Sequence, residues 1–223
     1  MTEDSGRRAA LARIRAAVES PRSSDHLAAY FREPQHADDR GVFAGRWFDR
    51  LAGGGNRPEV ADTVTGDDLV AVSLLDVDLP PEVVVKLLVT KREALREALA
   101  QIPVDLALED ADPDLLKTGP PAKAWRIVKR SGRRSDNAQR WVTAGKVLAR
   151  KRPHLVPVYD KVVRRLVQPQ PGDWWLTARA AMRDDGIRGR LRQVRTEAAV
   201  PDEVTDLRVL DVVLWMEGRR ART

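Results

Sequence analysis

Apolar positions near the start of the chain fall at helical spacing, with Leu11, Ile14 and Val18 on one face and arginines on the other. A second short helix is predicted from His26 to Arg32, ending before Pro34, and residues 34–41 read as a polar loop. Val42 to Leu51 is aromatic and reads as helix, whereas Gly53 to Pro58 reads as loop. Asp67 and Asp68 stand before the apolar run Leu69 to Leu75, at a helix start where the backbone dipole favours carboxylates. Pro80 and Pro81 suit the first turn of another helix. Thr90 and Glu93 have capping-box spacing and predict a further helix reaching about Gln101.

Asp110 to Asp114 forms an acidic turn, and Pro120-Pro121 opens a helix through Trp125 and Val128. Ser135 is placed to cap a helix from Asp136 to Arg150, whose stripe of Trp141, Val142, Ala144, Gly145 and Leu148 faces a core before Pro153 stops it. Asp160 is placed to cap Lys161 to Val167, and Asp173 a helix through Trp174, Trp175 and Met182. A short basic helix spans Ile187 to Thr196. The last helix, Thr205 to Glu217, carries Leu207, Leu210, Val213, Leu214 and Trp215, with Gly218 in the C′ place. The β-branched runs Val70 to Leu75 and Val83 to Val89 are the only stretches that compete as strands. The pattern predicts an all-α fold: one compact multi-helix domain over residues 1–223, of about ten helices and with room for two lobes. A boundary near residues 110–119 is the alternative.

Composition sharpens this picture. With 223 residues, 43% of them hydrophobic, the chain can bury one sizeable core or two small ones. Cysteine is absent, which removes disulfides and thiolate chemistry and fits a reducing cytoplasm. The charged opening from Met1 to Arg8 lacks the apolar segment of a signal peptide. The most apolar run, Val83 to Val89, is interrupted by Lys86, so no membrane span is expected.

The formal charge of +6 conceals a strong division. The acidic half, residues 1–116, has 14 basic and 22 acidic side chains; residues 117–195 have 21 basic and 5 acidic; the closing segment 196–223 has 4 basic and 6 acidic. A block as basic as 117–195 can neutralise phosphates and release counterions, the main source of nucleic-acid affinity. Its candidate phosphate contacts are Arg133, Arg134, Arg140, Arg150, Lys151, Arg152, Lys161, Arg164 and Arg165, and DNA is the expected partner. Trp125, Trp141, Tyr159, Trp174 and Trp175 lie within the block, where exposed rings could stack on unpaired bases. The competing reading folds the acidic half against the basic one and places the rings in the core.

Chemistry concentrates in two short stretches, Ala144-Gly145-Lys146 and Pro153 to Asp160, the second closing on Tyr159-Asp160. Together with Gly45 to Phe48 and the Gly53 to Pro58 loop, they resemble an uncharacterised family of high-GC Gram-positive bacteria, a domain of unknown function with paired AGK and YD motifs. The resemblance covers most of the chain and implies no particular reaction. Thr143 to Asp160, followed by Val162-Val163-Arg164, is also similar to the part of helix-hairpin-helix DNA glycosylases that leads to their catalytic aspartate. That resemblance implies Asp160 beside a flipped nucleotide, stabilising an oxocarbenium-like sugar and activating water, with Tyr159 and Lys146 as neighbours in the chemistry. The chain departs from that superfamily at the hairpin, where Ser135 to Arg140 replaces a glycine turn, and Val142 falls near the place of the lyase lysine. Gly132-Arg133-Arg134 could take over part of the phosphate grip. The plainer and preferred reading makes Asp160 an N-cap, Lys146 a solvated lysine and Tyr159 a half-buried ring.

Other chemistries find no support. His26, His36 and His154 lack ligand spacing, and Asp62, Asp67, Asp68, Asp76 and Asp78 fall at helix starts and turns, so neither metal nor cofactor is expected. Gly53 to Asn56 lacks the strand and Lys-Ser/Thr of a P-loop. Three functions remain open: a DNA-associated, distantly glycosylase-like protein acting in base excision or damage protection; an interaction module that self-associates or binds an acidic partner; and an enzyme holding a small anion with Arg and Lys.

Overall fold

A computed structural model of the chain describes residues 3–36, 39, 42–131 and 137–220. Among these residues there are twelve α-helices and no strand: α1 (Glu3–Val18), α2 (Ser23–Phe31), α3 (Gly66–Ser73), α4 (Pro81–Val85), α5 (Arg92–Leu99), α6 (Pro113–Thr118), α7 (Pro120–Ser131), α8 (Asn137–Lys151), α9 (Lys161–Val167), α10 (Trp174–Arg183), α11 (Asp185–Glu197) and α12 (Asp206–Arg220). The all-α fold follows. They fall into two compact units, one made of residues 1–46 and 159–223, the other of residues 47–158. The acidic turn at residues 110–119 lies inside the second unit.

Carboxylates and prolines set many of the helix starts. Thr65 and Asp68 form a reciprocal capping box on α3: the Asp68 amide donates to the Thr65 hydroxyl, and the Thr65 amide donates to the Asp68 carboxylate. Asp112 caps α6 through the Asp114 amide with Pro113 in the first turn, and Asp184 caps α11 through the Ile187 amide. The short helix α6 was not legible in the sequence, because its acidic start reads as a turn.

In the first unit α12 is the central helix. Leu207 to Leu214 are all buried, and α1, α2, α9 and α11 pack against it. Arg208, buried on α12, donates to the Tyr30 hydroxyl at 2.8 Å. Tyr30 stacks on Phe43, and both rings meet Trp215 edge-on. Gly218 is not a C′ residue: α12 runs on to Arg220. A Cβ at Gly218 would come within 2.8 Å of Val162 Cγ1, so glycine here lets α9 approach α12 closely.

In the second unit α8 holds the centre, with α7 and α3 against it and α5 and α6 against α7. The aromatic stretch expected as one helix over 42–51 forms two 3₁₀ turns, Ala44–Trp47 and Leu51–Gly53, the second kinked at Ala52, whose φ is 50°. After α4 the chain passes through a π-turn, Lys86–Thr90, closed by the Lys91 amide on the Lys86 carbonyl at 2.7 Å. That turn uses Thr90 as its last residue, so the expected Thr90 cap is absent and Lys91 precedes α5 with no side-chain cap.

The end of α8 carries the strongest polar cluster. Asp68 is 1% exposed and accepts from Arg150 Nε at 3.3 Å and Lys151 Nζ at 2.9 Å. Arg150 also donates to the Phe48 and Leu51 carbonyls, and Lys151 to the Val60 carbonyl. Arg152, fully buried, donates to the Ile102, Ala61, Lys151 and Leu99 carbonyls and to Asp62 at 2.6 Å. Two of those carbonyls, Leu99 and Ile102, end or follow α5, where a cation complements the helix dipole. Gly55 fits against this cluster because a Cβ would lie 2.6 Å from both the Arg150 carbonyl and Asp68 Oδ1. Asp68→Asn leaves two buried cations without their counter-charge and should lower unfolding free energy by about 3–5 kcal/mol in urea titration. A midpoint like the parent's would show that Asp68 is not what neutralises them.

Candidate functional site

Tyr159 and Asp160 open the return of the chain into the first unit. Asp160 Oδ1 accepts from the Val162 amide at 2.8 Å and the Val163 amide at 3.0 Å, an N-cap on α9. One oxygen is thus taken by the helix, while Oδ2 has no hydrogen-bond or ion-pair partner among the described residues. Tyr159 stacks on Trp174 with ring centroids 4.9 Å apart. Burial raises the Tyr159 phenol to about 12, and the nearby Arg164 charge pulls the other way. The ring is therefore a hydrogen-bond donor at neutral pH, not a base.

The first three polar positions of α9, Lys161, Arg164 and Arg165, are exposed, and none forms an ion pair among the described residues. Arg165 Nε donates to the Lys161 carbonyl at 3.0 Å. These side chains, Asp160 and Tyr159 are the expected site residues that the structure gathers in one place.

The remaining candidates divide differently. Lys146 belongs to the second unit, is 3% exposed and donates from Nζ to the Leu75 carbonyl at 2.6 Å. It is a buried tether and not a solvated lysine. Arg150, Lys151 and Arg152 are not the surface contacts expected of them. All three are buried, and their donors are taken up by Asp68, Asp62 and main-chain carbonyls, so no phosphate on the surface can reach them. Burial lowers the pKa of each, with Asp68 opposing it at Arg150 and Lys151 and Asp62 at Arg152. Arg140 is half-buried and holds the Lys129 carbonyl at 2.8 Å, joining α8 to α7. Arg133 and Arg134 lie outside the described residues, as do Gly132, Ser135 and Asp136.

Asp173 precedes α10 but gives it no side-chain cap, because its carboxylate is taken by Arg7, at 2.6 and 2.9 Å, and by the Thr177 hydroxyl. The residues that sequence reasoning passed over are Lys123, Arg126 and Arg130 on α7, all exposed. Their i, i+3, i+7 spacing on a predicted helix was the available signal. No group of three or more His, Asp or Glu among the described residues could hold a metal. No helix among them is long and apolar enough to cross a membrane.

Two measurements check this geometry. Asp160→Ala should cost about 1 kcal/mol in thermal or chemical unfolding, and Asp160→Asn only a few tenths, since asparagine caps almost as well. For Tyr159, the folded state favours the neutral phenol. The stability this contributes is complete below the ordinary value of 10.0 and is lost as pH rises through about 12. Unfolding free energy should fall across that window, and Tyr159→Phe should remove this part of the fall; identical profiles would place the phenol in water.

Comparison with known proteins adds one match. The family described as "Family of unknown function (DUF6308)" matches residues 23–218. No curated protein and no solved structure matches. That match spans most of the sequence, with all of the second unit and the first unit from α2 onward to residue 218, and the chain belongs to the DUF6308 family.

Proposed function

We propose that this is a DNA-associated helical protein in which α9 touches phosphate and Asp160 stands next to the sugar. The observation that carries the reading is the exposed, unpaired trio Lys161, Arg164 and Arg165 directly after a carboxylate that has one oxygen outside its cap. Cations without carboxylate partners keep their full charge for a polyanion. The similarity of Thr143 to Arg164 to helix-hairpin-helix glycosylases supports the same placement for Asp160.

In that role the carboxylate would take a proton from water as the water oxygen bonds to C1′ of a flipped nucleotide. The bond from C1′ to the base breaks, the base leaves with the electron pair, and solvent protonates it. Tyr159, held neutral, would donate a hydrogen bond. Lys146 has no part, which agrees with a hydrolytic rather than a lyase outcome.

The test is anisotropy of a labelled duplex over a range of salt. The parent should bind more weakly as salt rises, and K161A/R164A/R165A should flatten the log–log salt slope by about 2.7, three contacts at about 0.9 each. Asp160→Asn should bind like the parent. With damaged-base duplexes, the parent should leave abasic sites and Asp160→Asn should not. Absence of parent binding at low salt sinks the whole proposal; binding without abasic sites keeps the DNA association and removes the hydrolysis.

A further inference from the structure

The second unit carries a different basic surface. Helix α7 has the sequence PPAKAWRIVKRS, with four basic side chains and no acidic one. Its buried face holds Pro121, Ala122, Ala124, Val128 and Ser131 against the core. Lys123, Arg126 and Arg130 are exposed together on the opposite face. None of the three side chains forms an ion pair or hydrogen bond among the described residues.

This arrangement is unfavourable for the helix itself. Like charges at i, i+3 and i, i+4 destabilise a helix by about 0.2–0.5 kcal/mol per pair. A helix serving only as a strut would mix signs, as α5 does with its sequence REALREAL and its Arg96–Glu93 pair at 2.5 Å. The start of α7 also lacks the carboxylate that the dipole favours. Arg130, in the last turn, suits the dipole, but Lys123 and Arg126 gain nothing from it, and a local rule broken without such a gain marks a position used for something else.

We propose that the outer face of α7 is a phosphate-contact surface for the backbone of double-stranded nucleic acid. Two features select a duplex. The surface is the convex outside of a helix, whereas single strands are held in grooves lined with open rings. The ring on α7 itself is already engaged: Lys129 Nζ lies 4.7 Å over Trp125. A base stacking on that face would first have to displace the lysine. The eight residues from Lys123 to Arg130 span about 10 Å of helix axis. Over that length a duplex presents roughly six charges, at about one per 1.7 Å, so all three cations find a phosphate without bending the partner. The contact is to phosphates alone and reads no sequence.

This surface belongs to the second unit and α9 to the first, and each is tested with its own variant. Parent protein, K123A/R126A/R130A and K161A/R164A/R165A are titrated against one labelled duplex and its single strand at several salt concentrations. The α7 variant should keep its helical circular dichroism and thermal midpoint, since alanine suits these positions. Its duplex salt slope should be shallower than the parent's by about 2.7. The parent should prefer duplex, and single strands should not quench its tryptophan fluorescence. An α7 variant that binds duplex like the parent overturns the proposal, as does a parent that prefers single strands with quenching. If only the α9 variant loses affinity, α9 stands and α7 falls; if only the α7 variant does, the reverse holds. A parent that binds poly-glutamate but no duplex at low salt replaces both with an acidic-protein partner.

Discussion

One carboxylate carries much of the second unit. Asp68 sits 1% exposed between the capping box of α3 and two cations from the end of α8. It closes the first turn of one helix and neutralises the last turn of another with the same two oxygens. Buried charges of this kind persist only where every donor and acceptor has a partner. Arg152 meets the same demand beside it, with five donor contacts to four carbonyls and Asp62. The Gly53 to Asn56 loop, which resembles a flexible phosphate loop in composition, is instead a seat for Arg150, with glycine at 55 because no side chain fits.

This cluster explains why charge counted along the sequence overstated the basic surface. Arg150-Lys151-Arg152 is the densest cation run of the segment 117–195, yet it faces inward. Nothing in the run itself distinguishes a buried clamp from a solvated patch. The difference lies with Asp62 and Asp68, some eighty to ninety residues away, and with carbonyls freed by 3₁₀ turns and the end of α5. Long-range partners of that sort leave no local signature. Arginine in particular can be buried when its planar fork meets several carbonyls at once.

Local signals fared better. The all-α architecture, the cap at Asp160, the stop at Pro153 and the opening of α7 at Pro120-Pro121 were all readable, because each depends on neighbours within a turn or two. The errors came where tertiary packing overrode a local rule. Thr90 has capping-box spacing, but a π-turn needs it as a closing residue. Gly218 has the composition of a helix stop, but it is the contact point of α12 with α9. Asp173 stands where a cap belongs, but Arg7 claims its carboxylate. At the candidate site, the cap geometry of Asp160 was legible, whereas which cations are exposed depended on the whole unit.

The order of the two units along the chain bears on how the protein is made. Residues 47–158 are one continuous stretch, so the second unit has all its parts once residue 158 has left the ribosome. The first unit is cut in two: α1 and α2 are synthesised early, but α12, which buries them, comes last. During synthesis the apolar faces of α1 and α2, with Ile14, Leu27 and Phe31, wait exposed for a helix more than a hundred residues downstream. Loop-closure entropy rises only slowly with the length of that delay, so the vulnerability is one of time and not of equilibrium.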